Sequence, residues 1–179
     1  MGRSDPVDRS AIVEDLERTR AQLHRLLRDA SDAELCRRSS GTRWTNEQLL
    51  FHMVFGYMVM QALLPLVRVI SRLPAEVGRE FARILDAGTR LFDVVNYYGS
   101  CAAALVFNRH RMGAKLDRVT GSLIRRLHRE SEEDLRRGMP FPVRWDPFFA
   151  EFMTLGELYR YPVQHFDFHE KQLTIDRPH

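Results

Sequence analysis

The chain has 179 residues, enough for one domain with a substantial core, and its apolar share of 44% and charged share of 28% are ordinary for a soluble globular protein. A net charge of +3, with acidic and basic residues interleaved, leaves no block of one sign and speaks against a nucleic-acid footprint despite a pI near 9.1. Cys36 and Cys101 give no CxxC pair and no disulfide framework, which points to a reduced, cytoplasmic setting, and neither a membrane nor a nucleic acid is an expected partner. No secretory signal is visible, because a charged N-terminus runs straight into an amphipathic pattern. Lys115 and Lys171 are the only lysines, an arginine bias of the kind a GC-rich bacterial genome produces.

In chain order, the first predicted helix runs from about Asp8 to Asp29. Ile12, Leu16, Leu23, Leu26 and Leu27 mark its apolar face, and Glu14, Glu17, Arg18, Arg20 and Arg25 lie mainly opposite. Ser31 with Glu34 forms a capping box on a short helical turn, and Ser39-Ser40-Gly41 breaks the chain. Thr45 with Gln48 three residues on caps a long apolar helix. From Leu49 to Val67 that helix is about long enough to cross a bilayer, but it contains His52, Gln61 and Pro65 behind a polar cap, so the buried central helix of a bundle is the better reading. Pro65 predicts a kink and Pro74 a restart.

Phe81, Ile84, Leu85, Leu91 and Val95 suggest a helix interrupted near Gly88. A further helix is predicted from Ala102 to about Arg129, with Leu116, Val119, Leu123, Ile124 and Leu127 inside and Arg125, Arg126, Arg129 and Glu130 on a solvated face. Cys101, among small residues, reads as a buried thiol. Residues 136–148 hold Gly138, Pro140, Pro142 and Pro147 and must be loop or extended chain, and Asp146-Pro147 looks like a helix cap with proline at the first helical position. The last helix opens on a Thr154/Glu157 capping box and runs to about Leu173, with Pro162 kinking it. No strand-period run of useful length appears, so the expected fold is all-α.

His165 and His169 are four residues apart and share one face of that last helix, where they can grip one ion. His52 sits in a greasy stretch of the central helix, where an unpaired imidazole costs ~1–3 kcal/mol. Separately these have ordinary explanations: a chance pair on one turn, or a core histidine satisfied by a hydrogen bond. Together they describe three imidazoles from two helices with coordination left open for water or substrate. Asp167 lies on the far side of its helix from the pair and is not expected to ligate. Tyr161 and Gln172 share the His165–His169 stripe and are candidates to contact a substrate or to orient a ligand. His24, His110, His128 and His179 have no such company and read as solvated surface, and Arg109-His110-Arg111 reads as an exposed basic turn.

Trp44-Thr45 leading to His52, and Thr154-Leu155-Gly156-Glu157 leading to His165-x-x-x-His169 and Gln172-Leu173, resemble the first and last metal motifs of the DinB-like superfamily. The resemblance implies an up-down-down-up four-helix bundle over the whole chain and carries the three metal ligands onto His52, His165 and His169. It implies a divalent ion, zinc or nickel, with water in the remaining positions, and a homodimer, for which the apolar circumference of the central helix leaves surface. Relatives include mycothiol- and bacillithiol-dependent transferases and isomerases. Pro162 departs from the commoner last-helix pattern. Two functions follow. The first is a metal-dependent transferase, isomerase or hydrolase acting on a small molecule, with mycothiol the first thiol to test. The second is a non-catalytic metal-binding stress-response protein. Phe51, Phe55, Phe166 and Phe168 are the expected pocket walls, and no general acid or base is evident beside the ligands.

Overall fold

The computed structural model describes residues 6–176. Four helices carry the core: α1 (Arg9–Asp29), α3 (Asn46–Ile70), α6 (Met112–Leu127) and α8 (Leu155–Glu170). Between them lie α2 (Asp32–Cys36), α4 (Ala75–Ala87), α5 (Thr89–Val106) and α7 (Glu132–Arg136). The caps expected at Ser31, Thr45 and Thr154 are present, and Asp8 adds one at the start of α1. Asp8 accepts from the Ala11 amide, and Ser31, Thr45 and Thr154 each close a reciprocal box with the glutamate or glutamine three residues on.

Cross-contacts give the direction of each helix. Arg18 meets Asp167 and Gln22 meets Glu170, so α1 and α8 run parallel. His52 lies against His169 and Gly56 against His165, so α3 opposes α8. Glu47 caps the Arg109 amide while Arg68 reaches Glu130, so α6 follows α3's direction. The order is therefore up-down-down-up. Two successive bundle helices that run the same way need the chain to return between them, and α4 with α5 makes that return along α3. α3 is the core helix: Leu49, Leu50, Met53, Val54, Tyr57 and Met60 are fully buried, each contributing about 1.5–3 kcal/mol by leaving water. It also passes the length and apolarity test for a membrane span, which bundle cores commonly do.

Several expectations need correction. The helix expected from Ala102 to Arg129 is two helices, because 107–111 forms a turn in which Asn108 accepts from the His110 amide and Arg109 is drawn away to Asp32 and the Leu27 carbonyl. A three-residue antiparallel hairpin joins β1 (Gly138–Pro140) to β2 (Phe152–Thr154). No helix starts at Asp146-Pro147; the Asp146 carboxylate instead caps the Phe148 amide in a turn. Glu130 is buried, not solvated, Cys101 is only half-buried, and α8, which contains Pro162 as expected, ends at Glu170 and not near Leu173. His179 lies outside the described residues.

The end of the chain folds back on the cap of α3. The Ser40 amide donates to the Gln172 carbonyl at 2.7 Å, and Asn46, itself buried, donates to Thr174 Oγ1 while accepting from the Thr174 amide. Thr174 Oγ1 also donates to the Arg38 carbonyl, closing a clasp between 38–46 and 172–174.

Candidate metal centre

The capped starts of α3 and α8, with the two helices antiparallel, bring three histidines to one point. His52 Nε2 lies 3.1 Å from His165 Nε2 and 3.2 Å from His169 Nε2. Nitrogens bound ~2.0–2.1 Å from one tetrahedral ion stand roughly 3.3 Å apart, so this spacing already fits a shared cation. The tautomers fit as well. Gln172 Oε1 lies 2.6 Å from His169 Nδ1 and, as an acceptor, places the proton there, leaving the Nε2 lone pair facing the cluster. His165 Nδ1 is buried without a hydrogen-bond partner, and the His52 ring has Ser100 Oγ 3.5 Å from its Nδ1 and a side-chain hydrogen bond with Asn96. These three residues are a group able to hold a metal ion among those described, and the donor set suits a divalent one.

Burial keeps the rings uncharged. It lowers His52 to about 3, with the neighbouring His169 adding to the effect, and it drives His165 well below its ordinary value. His169 is lowered by burial too, against an opposing pull from Gln172. Neutral imidazoles are what metal ligation requires. Trp44 stacks on His52 at 4.4 Å between ring centres and fixes its plane.

Beside the triad lies a cavity of about 180 Å³, walled by Trp44, Phe55, Gly56, Val59, Asn96, Trp145, Asp146, Phe149 and Tyr161. Of the phenylalanines expected there, only Phe55 lines it. Phe51 stacks on Phe107 and Phe166 is fully buried, both in the core, and Phe168 is partly exposed beside Phe148 and His169. Tyr161 packs on His165 and donates to Asp146 Oδ2 at 2.8 Å. That same Oδ2 is 3.8 Å from His165 Nε2. A carboxylate therefore stands at the triad, where the sequence reading found no acid or base. Its burial pushes Asp146 up, opposed by the Phe148 amide and Tyr161 hydroxyl, and Tyr161 is driven well above its ordinary value by burial and then by Asp146. The signal that was available was an acid between Trp145 and a proline in an aromatic-rich loop, easily taken for a cap. Asp167 faces outward and pairs with Arg18. His24 pairs with Asp117, and His110 and His128 are exposed.

Gly56 is a second residue the sequence reading passed over. A Cβ there would stand 2.7 Å from His165 Nδ1, closer than carbon and nitrogen tolerate. Gly56→Ala should displace the His165 ring and weaken metal binding at least tenfold while leaving the helix intact, since alanine is the better helix former. Metal titration beside a circular-dichroism melt checks this, and unaltered affinity would show that the ring has room to shift.

A family model of the DinB superfamily matches residues 15–173. No curated protein matches in sequence. Among solved structures, YfiT from Bacillus subtilis, described as a probable metal-dependent hydrolase with an unusual four-helix bundle topology, is similar with a TM-score of 0.63. The match covers 97% of this chain and 89% of that one at 16% identity, a likeness of fold. With the bundle order, the two capped helices and the histidine cluster they carry all in place, the chain belongs to the DinB superfamily.

Proposed function

We propose that this protein is a metal-dependent enzyme that hydrolyses a small molecule, with His52, His165 and His169 holding zinc or nickel. The observation that supports it is the cavity: it opens directly onto all three histidines and has the Asp146 carboxylate in its wall. A purely structural site has no use for such a space. A bound divalent cation supplies Lewis acidity, lowering the pKa of a water or thiol and polarising an electrophile. Asp146 Oδ2 then accepts the proton of the attacking water as its oxygen forms the new bond, and returns it to the leaving group as the old bond breaks. Tyr161, donating to Oδ2, positions that carboxylate, and Gln172 orients His169. Transfer to a low-molecular-weight thiol such as mycothiol is the second reading. It is favoured by the same acidified nucleophile but disfavoured by size, because ligand pockets for drug-sized molecules run to ~300–1,000 Å³.

The test is Asp146→Asn in zinc- and nickel-loaded protein, assayed with 4-nitrophenyl acetate and a panel of small esters and amides, with and without added thiol. The expected result is unchanged metal content and at least a 100-fold loss of kcat, in line with general acid–base contributions of roughly 10²–10⁴. Equal turnover by wild type and variant would end the hydrolytic reading, and turnover only with thiol would move the protein to the second.

We further propose a homodimer through α5. The apolar surface left over lies there and not on the middle of α3: Leu91, Val94, Tyr98 and Leu105 form one helical stripe and are 69%, 53%, 63% and 83% exposed. Two such stripes can pair across a two-fold axis, the same patch serving both subunits. Light scattering at micromolar concentration should give a dimer that Val94→Glu with Leu105→Glu splits, and a monomeric wild type overturns it.

A further inference from the structure

At the other end of α3 from the histidines, roughly 24 Å along the helix from His52 to Arg68, lies a second and larger hollow of about 520 Å³ between α3 and α6. Five arginines line it: Arg68 and Arg72 from α3, and Arg125, Arg126 and Arg129 from α6 and the turn after it. Its floor is acidic and buried. Glu130, with a side chain 1% exposed, sits 3.2 Å from Arg68, and Asp134 accepts from Arg72 at 2.6 Å and lies 3.7 Å from Arg68. Asp134 holds Arg72 by a hydrogen bond, and Glu130 lies within ion-pair range of Arg68. Among the described residues no carboxylate pairs with Arg125, Arg126 or Arg129, so five arginines against Glu130 and Asp134 leave the hollow an excess of three positive charges.

We propose that this hollow is a separate ligand site for a small anion bearing two or three phosphate groups. Guanidiniums present paired donors that match phosphate oxygens, and Arg72 is held by the Asp134 carboxylate before any ligand arrives. Like charges crowded on one cavity repel, and a polyanion offsets that repulsion. A single phosphate, at about −1.5 to −2, would leave roughly a third to a half of that excess uncompensated. The walls of the histidine pocket carry no arginine or lysine, so guanidinium recognition of a polyanion is confined to this second hollow.

The probe is inorganic pyrophosphate, titrated calorimetrically into the metal-loaded full chain, into Arg125→Gln with Arg129→Gln, and into His52→Ala. Arg125 and Arg129 are exposed, so their replacement should leave the melting temperature unchanged. Wild type and His52→Ala should bind one pyrophosphate per chain alike, and the double arginine variant at least tenfold more weakly, since a charge-assisted hydrogen bond contributes about 1.5–3 kcal/mol. Absence of binding overturns the proposal. So does binding that His52→Ala abolishes and the arginine variant keeps, which would place pyrophosphate on the metal. Tighter binding of a short DNA duplex than of pyrophosphate overturns it too, by making the hollow part of a nucleic-acid face.

Discussion

Alanine in place of His52 should strip the protein of its metal. His165 and His169 remain on one turn of α8 and can still chelate, but the third nitrogen, 3.1 and 3.2 Å from theirs, is gone. Partners outside a coordination sphere typically contribute 10–100-fold to affinity, so loss of a ligand should cost more than roughly 100-fold. Elemental analysis of purified protein should give one divalent ion per chain in wild type, close to none in His52→Ala, and an unchanged content in His128→Ala. Melting temperatures should follow, because an ion present at ~100 times its Kd stabilises the fold by about 2.7 kcal/mol. Equal metal in wild type and His52→Ala would rule out the triad, and the hydrolytic proposal with it.

The metal-free protein should lose stability steeply as the solution is acidified below pH 6.5. In the unfolded chain the three imidazoles take up protons around that value; in the fold burial holds His52 down to about 3, His165 well below its ordinary value and His169 lowered. The unfolded state therefore binds more protons, so the stabilising contribution is complete above pH 6.5 and drains away as pH falls toward 3. An imidazole held down across the window contributes a slope of about 1.4 kcal/mol per pH unit, so His52, lowered from 6.5 to about 3, alone removes roughly 3 kcal/mol over two units, and His165 acts in the same direction. Carboxylates such as Glu34 and Asp134, held below their usual range by Ser31 and Arg72, act only at lower pH, and Asp146, pushed up by burial, runs the other way. Urea midpoints between pH 7.5 and 4.5 should show the slope, and His52→Gln should roughly halve it. A flat profile over that window would mean that water reaches the rings.

What could be read in the sequence was what local chemistry dictates. The boxes at Ser31, Thr45 and Thr154, and the apolar spacing of Ile12 through Leu27, act within a few residues, and the helices begin where they say. The histidine pair was legible because four-residue spacing on a helix is itself geometry. What was hidden depends on partners distant in sequence. Arg109 belongs to a helix by pattern and leaves it because Asp32 and Leu27 lie opposite. Glu130 looks like one more surface acid until Arg68 and Tyr159 arrive over it. Asp146 is a good cap by type, yet no helix follows, and Tyr161 from the next element gives it its direction. Gly56 carries no signal at all, since its small size matters only to a ring on another helix.

The clasp of Thr174 over Asn46 and Arg38 joins the segment after His169 to the cap that starts the His52 helix. Opening of residues 172–174 therefore cannot stay local: releasing Thr174 frees the buried Asn46 and with it the first turn of α3. Amide protons of residues 38–46 and 172–174 should exchange with solvent as one opening unit, at one rate, and an ion shared by the two helices should slow all of them together.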